Sequence, residues 1–250
     1  MKTIWLVGAS EGIGRALAIE LAKDENNTLI LSARNKERLG ELAQDLEKKP
    51  LLIEMDVGNK RSVAKAWSNI QKESISIDTI IYCAGYYKPM SAEFMEIDEI
   101  EKMIEVNLVG AFRVLDLVTP EFIKRKNGHI VLIGSVAAYI GLPNGIGYGS
   151  SKAGVIHLAE NLKCDLSDYN IKVQVINPGF VKTRLTDLNS FQMPSIITPE
   201  EAALYISNAM KTNAFESRFP FLFSNFLKLI SKLPYWLYFK LAKIIKPSDK

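Results

Sequence analysis

Two groups of residues in this chain have the types and spacing for chemistry. The first is Gly8-Ala9-Ser10-Glu11-Gly12-Ile13-Gly14. Glycines spaced this way allow a tight turn and a close backbone approach to a pyrophosphate. A helix opening behind them offers free N–H groups and partial positive charge. The spacing is GxxxGxG rather than GxGxxG, and an ordinary turn is the competing reading. Its place between an apolar run and an amphipathic one favours the phosphate cradle, with Gly8, Ser10, Gly12, Ile13 and Gly14 as the contacts. The second group is Tyr148-Gly149-Ser150-Ser151-Lys152. On a helix, Lys152 lies one turn beyond Tyr148 on the same face. A phenol titrates near pH 10, and a neighbouring ammonium favours its ionised form.

The loop's chemistry directs attention to the second apolar run, which ends Leu31-Ser32-Ala33-Arg34-Asn35. A site for NAD usually has an acid near here for the ribose 2′-hydroxyl. Ala33 cannot serve, whereas Arg34 can pair with a 2′-phosphate. Glu11 argues the other way, because its charge sits where phosphate must bind. NADP is favoured and NAD is the lesser alternative. Asp56, with Val57 beside it, ends the third run. It either accepts from the adenine amino group or caps the following turn.

These residues need a scaffold, and the chain supplies one by alternation. Thr3–Val7, Thr28–Ala33, Leu51–Met55, Thr79–Cys83, His129–Ile133 and Lys172–Ile176 are strand-length and apolar throughout, as strands buried on both faces should be. Helical patterns cover Gly12–Lys23, Lys36–Lys48, Lys60–Glu73, Ile97–Lys126 and Tyr148–Tyr169. Strand and helix in turn, with short links, imply right-handed crossovers and a parallel sheet. The expected fold is α/β, a Rossmann-type doubly wound sheet in a single domain over residues 1–212, followed by an amphipathic helical extension over 213–250.

Composition narrows the classes. The chain has 250 residues, 48% hydrophobic and 24% charged, enough for a substantial core and unlike a disordered protein. Cys83 and Cys164 form no metal-ligand spacing, and His129 and His157 stand apart. A reducing, cytoplasmic setting without a metal site is expected. The opening apolar run is too short for a signal peptide, and no uncharged stretch reaches the roughly eighteen residues a membrane span requires. Net charge is +3, yet residues 211–250 hold eight Lys/Arg against two acids, so the remaining body is acidic and nucleic acid is not an expected partner.

Further motifs fall in order along the chain. They are Asn107 in Val106-Asn107-Leu108-Val109-Gly110, Ser135 thirteen residues before Tyr148, Cys83-Ala84-Gly85 after the fourth strand and Asn177-Pro178-Gly179 after the sixth. With the glycine loop and the YxxxK, this set resembles the short-chain dehydrogenase/reductase family over residues 1–210. The resemblance implies an NADP(H)-dependent oxidoreductase acting on a ketone or secondary alcohol. Tyr148 would be general acid/base, and Lys152 would support it and bind the nicotinamide ribose. Ser135 would bond the substrate oxygen, and Asn107 would hold a relay water. Ala84, Gly85, Pro178, Gly179, Val181 and Thr183 would meet the cofactor, together with Asn107, Tyr148 and Lys152. Cys83 stands where relatives carry Asn, and Val7 where many carry Thr. A non-catalytic NADP(H)-sensing protein of the same fold is the alternative, which the intact Asn107–Ser135–Tyr148–Lys152 set disfavours.

The segment after Gly179 is expected to form a substrate lid carrying Leu185, Leu188, Phe191, Met193 and Pro194. Tyr86, Tyr87, Met90, Tyr139, Ile140 and Leu142 would add apolar wall. A hydrophobic small molecule follows as substrate, unless these residues merely pack the lid down. Family members often pair through their long helices, so a homo-oligomer is expected. In the extension, Leu222, Phe223, Phe226, Leu227, Leu229, Ile230 and Leu233 share one helical face opposite Ser224, Asn225, Lys228, Ser231 and Lys232. Pro234 breaks the helix, and Trp236, Leu237, Phe239 and Ile244 continue the apolar pattern with Lys240 and Lys243. Peripheral membrane contact is one use of such a pair of helices, and packing on the lid or a second subunit is the other. Pro220 limits any seventh strand to a short one at an edge.

Overall fold

Runs of Ile, Val and Leu that can be buried on both faces become parallel strands in the computed structural model, which describes residues 2–189 and 191–245, with side chains through residue 242. The strands are β1 (Lys2–Val7), β2 (Asn27–Ala33), β3 (Leu51–Glu54), β4 (Thr79–Tyr82), β5 (Gly128–Ile133), β6 (Ile171–Pro178) and β7 (Glu216–Phe219). They pair in parallel in the order β3-β2-β1-β4-β5-β6-β7. This is the expected doubly wound Rossmann-type sheet, with its switch point between β1 and β4.

The strand pleat divides the core into two layers. Trp5 and Val7 of β1 and Ile130 and Leu132 of β5 face helices α3 (Lys60–Lys72), α5 (Gly110–Arg125) and α6 (Ile146–Asp165). Their alternates Ile4, Leu6, Val131 and Ile133 face α1 (Gly12–Ala22), α2 (Lys36–Gln44) and α7 (Pro199–Lys211). Helix α7 was not anticipated. Thr198 and Glu201 form a reciprocal capping box at its start, and Pro199 occupies the first turn.

The helix expected over Ile97–Lys126 is not continuous. It is split into α4 (Ile97–Ile104) and α5 by a π turn over Glu105–Val109. The cause is a side chain from the sheet. The Tyr82 hydroxyl donates to the Val106 carbonyl at 2.6 Å, and the Gly110 N–H, which would ordinarily use that carbonyl, reaches back to Glu105 instead. Gly110 is required there, because a Cβ would lie 2.3 Å from the Tyr82 oxygen.

The sheet also runs past residue 212, because β7 pairs with β6 at the outer edge. Pro220 follows directly, and α8 (Phe221–Ile230) and α9 (Tyr235–Ile245) lie beyond the sheet. The apolar residues of α8 divide between two sides. Ser224, Leu227 and Ile230 are buried, while Leu222, Phe226 and Leu229 point outward. Ser224 tolerates burial because its hydroxyl donates to the Pro220 carbonyl at 2.7 Å. The side chains of Lys243 and Ile244 lie outside those described.

Candidate active site

The carboxyl ends of the central strands open into a cleft of about 1040 Å³, where a doubly wound sheet places its ligand. Its upper wall is the glycine loop. Gly8 has φ +93°, and a Cβ there would lie 2.6 Å from the Ala84 nitrogen. A Cβ on Gly14 would lie 1.9 Å from the Gly8 carbonyl oxygen. The loop is therefore a backbone cradle that larger residues would fill. Behind it, α1 begins at Glu11 without a side-chain cap, which leaves first-turn N–H groups for an anion.

Gly8, Ser10, Gly12, Ile13, Gly14, Arg34, Val57, Ala84, Gly85, Pro178, Gly179, Val181 and Thr183 all line the cleft, as do Ser135, Tyr148 and Lys152. Asp56 and Asn107 do not. An Asp56 oxygen accepts the Gly58 N–H at 3.0 Å, which is the turn role. The Asn107 amide is also committed. It donates to the Tyr86 carbonyl (2.9 Å) and the Ser151 hydroxyl (2.8 Å) and accepts from the Tyr86 N–H (2.7 Å). Its side chain therefore braces the loop after β4 against α6.

The reacting groups lie at the cleft floor. Ser135 ends the turn after β5, and its hydroxyl accepts from the Ala137 N–H at 3.1 Å. Desolvation pushes the Tyr148 phenol up to about 12, while a hydrogen bond with Ser135 pulls it back and the nearby Tyr87 and Cys83 push it further. Lys152 is buried, and its ammonium donates to the Ile133 carbonyl at 2.8 Å. Desolvation brings it down to about 8, with Cys83 opposing. The amine sits 5.9 Å from the centre of the Tyr148 ring. Burial outweighs the expected stabilisation of tyrosinate, so the phenol holds its proton at neutral pH.

Residues 2–192 match the short chain dehydrogenase family. The chain belongs to the short-chain dehydrogenase/reductase family. An uncharacterized oxidoreductase of Myxococcus xanthus is 28% identical over 222 residues, covering 88% of this chain and 87% of its own. A 3-oxoacyl-acyl-carrier-protein reductase of Buchnera aphidicola is 31% identical over 192 residues, covering 76% and 78%. The solved short-chain dehydrogenase of Sphingobium yanoikuyae, a complex with NADPH, superposes with a TM-score of 0.81 at 24% identity, covering 100% of this chain and 98% of its own, and shares the fold. This short-chain dehydrogenase/reductase is therefore an oxidoreductase enzyme that uses a nicotinamide cofactor, rather than a non-catalytic sensor.

Several features of this dehydrogenase/reductase site were not anticipated. The Glu11 carboxylate is met by Arg38 at 2.5 Å and by Arg184 at 3.0 Å, so its charge in the phosphate loop is answered from both α2 and the lid. Arg38 lies in the first turn of α2, just beyond Arg34, and both line the cleft. The apolar lid contributes less wall than expected. Leu185 lines the cleft, whereas Leu188 is largely exposed. Phe191 instead packs edge-on against Phe180, with ring centres 5.7 Å apart. Tyr87 lies edge-on to Tyr148 at 4.9 Å and donates to Asn189 of the lid at 2.6 Å. Tyr139 is turned away to Glu216. Met90 is buried beside Gly145. Among the described residues no helix is long and apolar enough to cross a membrane, and no cluster of metal-ligating side chains occurs.

Proposed function

We propose that this enzyme interconverts a hydrophobic ketone and its secondary alcohol with NADP(H). The observation that carries the cofactor choice is the basic end of the cleft. Arg34 lines it with no ion pair among the described residues, Ala33 offers no acid, and Glu11 is engaged by Arg38 and Arg184. The cradle, the uncapped α1 and the paired arginines fit a dinucleotide bearing a 2′-phosphate. Gly8 to Gly14 would hold the pyrophosphate, Arg34 and Arg38 the 2′-phosphate, and Lys152 with Tyr148 the nicotinamide ribose. Val57, Ala84 and Gly85 would line the cofactor's path, and Pro178, Gly179, Val181 and Thr183 would face the nicotinamide. When bound, that ring supplies the hydride chemistry.

The protein's own part is proton handling and alignment. The Ser135 hydroxyl donates to the substrate oxygen. In reduction Tyr148 gives its proton to the same oxygen, and in oxidation it takes the proton back. The Lys152 ammonium favours the tyrosinate so formed. Asn107 fixes the loop that carries Tyr86 and Tyr87. Tyr87 beside the phenol and Leu185 in the cleft wall support an apolar substrate. The Buchnera relative is named as a 3-oxoacyl-acyl-carrier-protein reductase, which makes 3-oxoacyl compounds the first to try.

A carbonyl panel assayed with NADPH and NADH tests the reading. Tyr148→Phe should lose at least about a hundredfold in turnover while keeping its NADPH fluorescence titration. Near-normal turnover in that variant would remove Tyr148 from the mechanism. A cytoplasmic homodimer through α4, α5 and α6 accompanies this proposal. It is supported by Phe112, which stands half exposed on α5. Sedimentation velocity of the wild type and Phe112→Glu checks it, with a shift to monomer expected in the variant.

A further inference from the structure

The α8–α9 pair presents its oiliest side to solvent. On α8, Leu222, Phe226 and Leu229 form one stripe, with Leu222 81% exposed. On α9, Tyr235, Trp236 and Phe239 form another, with Trp236 65% exposed. Tyr235 and Phe239 stack along it at 5.9 Å, and the Lys240 ammonium lies 5.4 Å from the Trp236 ring. The opposite sides are fixed to the enzyme. Lys228 pairs with Glu216 at 3.1 Å, Tyr238 is buried and donates to the Gly141 carbonyl, and Phe223 lies against Phe180 at 5.6 Å. The outward orientation is therefore held by polar and aromatic contacts to the body.

Charge selects the occupant of this face. Residues 217–248 contain six Lys/Arg and no Asp or Glu, and of the six Arg218 and Lys228 turn inward to Glu216. Lys232 and Lys240 are exposed beside the apolar stripes. A second copy docking through the same face would bring two basic, acid-free surfaces together with nothing to pair the charge. A bilayer surface with anionic headgroups supplies the complement. The lysines meet headgroups while Trp, Tyr, Phe and Leu enter the acyl boundary.

We propose that the outward face of α8 and α9 docks this enzyme on anionic lipid bilayers. Phe223 on the inner side of α8 touches Phe180, and Phe180 touches Phe191 of the lid. The docked face is thus one aromatic layer away from the lid. The docking rests on the surface alone and not on the cofactor or substrate assignment.

The test is co-sedimentation of the full chain with phosphatidylcholine vesicles, with and without 30 mol% phosphatidylglycerol (roughly a plasma-membrane anionic load). Binding should be at least about tenfold stronger to the anionic vesicles and should weaken as salt is raised. Trp236 emission should shift to the blue on binding, and Trp236→Phe should abolish that shift while sedimentation persists. Phe226→Glu with Leu229→Glu should abolish sedimentation while leaving the thermal transition and NADPH titration unchanged, since both side chains are exposed. Equal binding to neutral and anionic vesicles, or wild-type binding by the double variant, would overturn the proposal. So would a wild type that ignores vesicles but is a dimer that the double variant splits.

Discussion

Lys152 brings a cation into the protein interior, and its neighbours there are a carbonyl and a thiol rather than a carboxylate. Its folded pKa of about 8 lies below the ordinary 10.5. Between those values the unfolded chain binds more protons, so stability without cofactor rises with pH through that window. Below about 8 the penalty is present in full. Lys152→Met should therefore stabilise the cofactor-free protein at pH 7 by roughly 1–3 kcal/mol, or several degrees in Tm, and flatten its pH dependence above 8. Differential scanning calorimetry at pH 7 and pH 10 checks this. Arg34→Ala should weaken NADPH by about ten- to a hundredfold and change NADH little, measured by fluorescence titration. Tyr148, Lys152 and the glycines were legible because their spacing along the chain is itself the signal. The duties of Asn107 and the partners of Glu11 were not, since Tyr86 lies 21 residues from the one and Arg184 lies 173 from the other.

At the scale of elements, the π turn depends on one hydroxyl. Tyr82→Phe leaves the Val106 carbonyl buried without its donor, at a cost of about 1–3 kcal/mol. Urea unfolding measures that cost. If α4 and α5 instead fuse into a regular helix, the Tyr86 and Asn107 resonances should move in NMR spectra of the variant. Thr198→Ala should cost about 1 kcal/mol by loss of the cap on α7, read in the same urea experiment. Strand positions could be read from apolar runs because burial on both faces leaves no other composition. The α4–α5 break could not, because the hydroxyl responsible lies on a strand. Helix α7 was readable in principle. Thr198-Pro199-Glu200-Glu201 carries the capping signature, and Ala202, Ala203, Ile206 and Ala209 follow it at helical spacing.

For the whole molecule, topology followed from alternation, since parallel neighbours need crossovers and crossovers have one hand. The tail's orientation did not follow. The amphipathic pattern left membrane, lid and subunit open as the cover of its apolar face, and α8 divides that face: Leu227 and Ile230 go inward with Ser224, whose hydroxyl is satisfied by its own turn, while Leu222, Phe226 and Leu229 face out. The order of the strands carries a consequence for how the protein fails. Its two outer strands, β3 and β7, have four residues each, and Pro220 ends the second. Such edges give an incoming chain few free N–H and C=O groups to pair with. Clumping near the thermal midpoint should therefore begin at α8 and α9 and yield amorphous, helix-retaining particles without the roughly 4.8 Å fibre repeat of amyloid. Light scattering with infrared spectroscopy would follow it, and the Phe226→Glu, Leu229→Glu protein should stay clear to higher temperature.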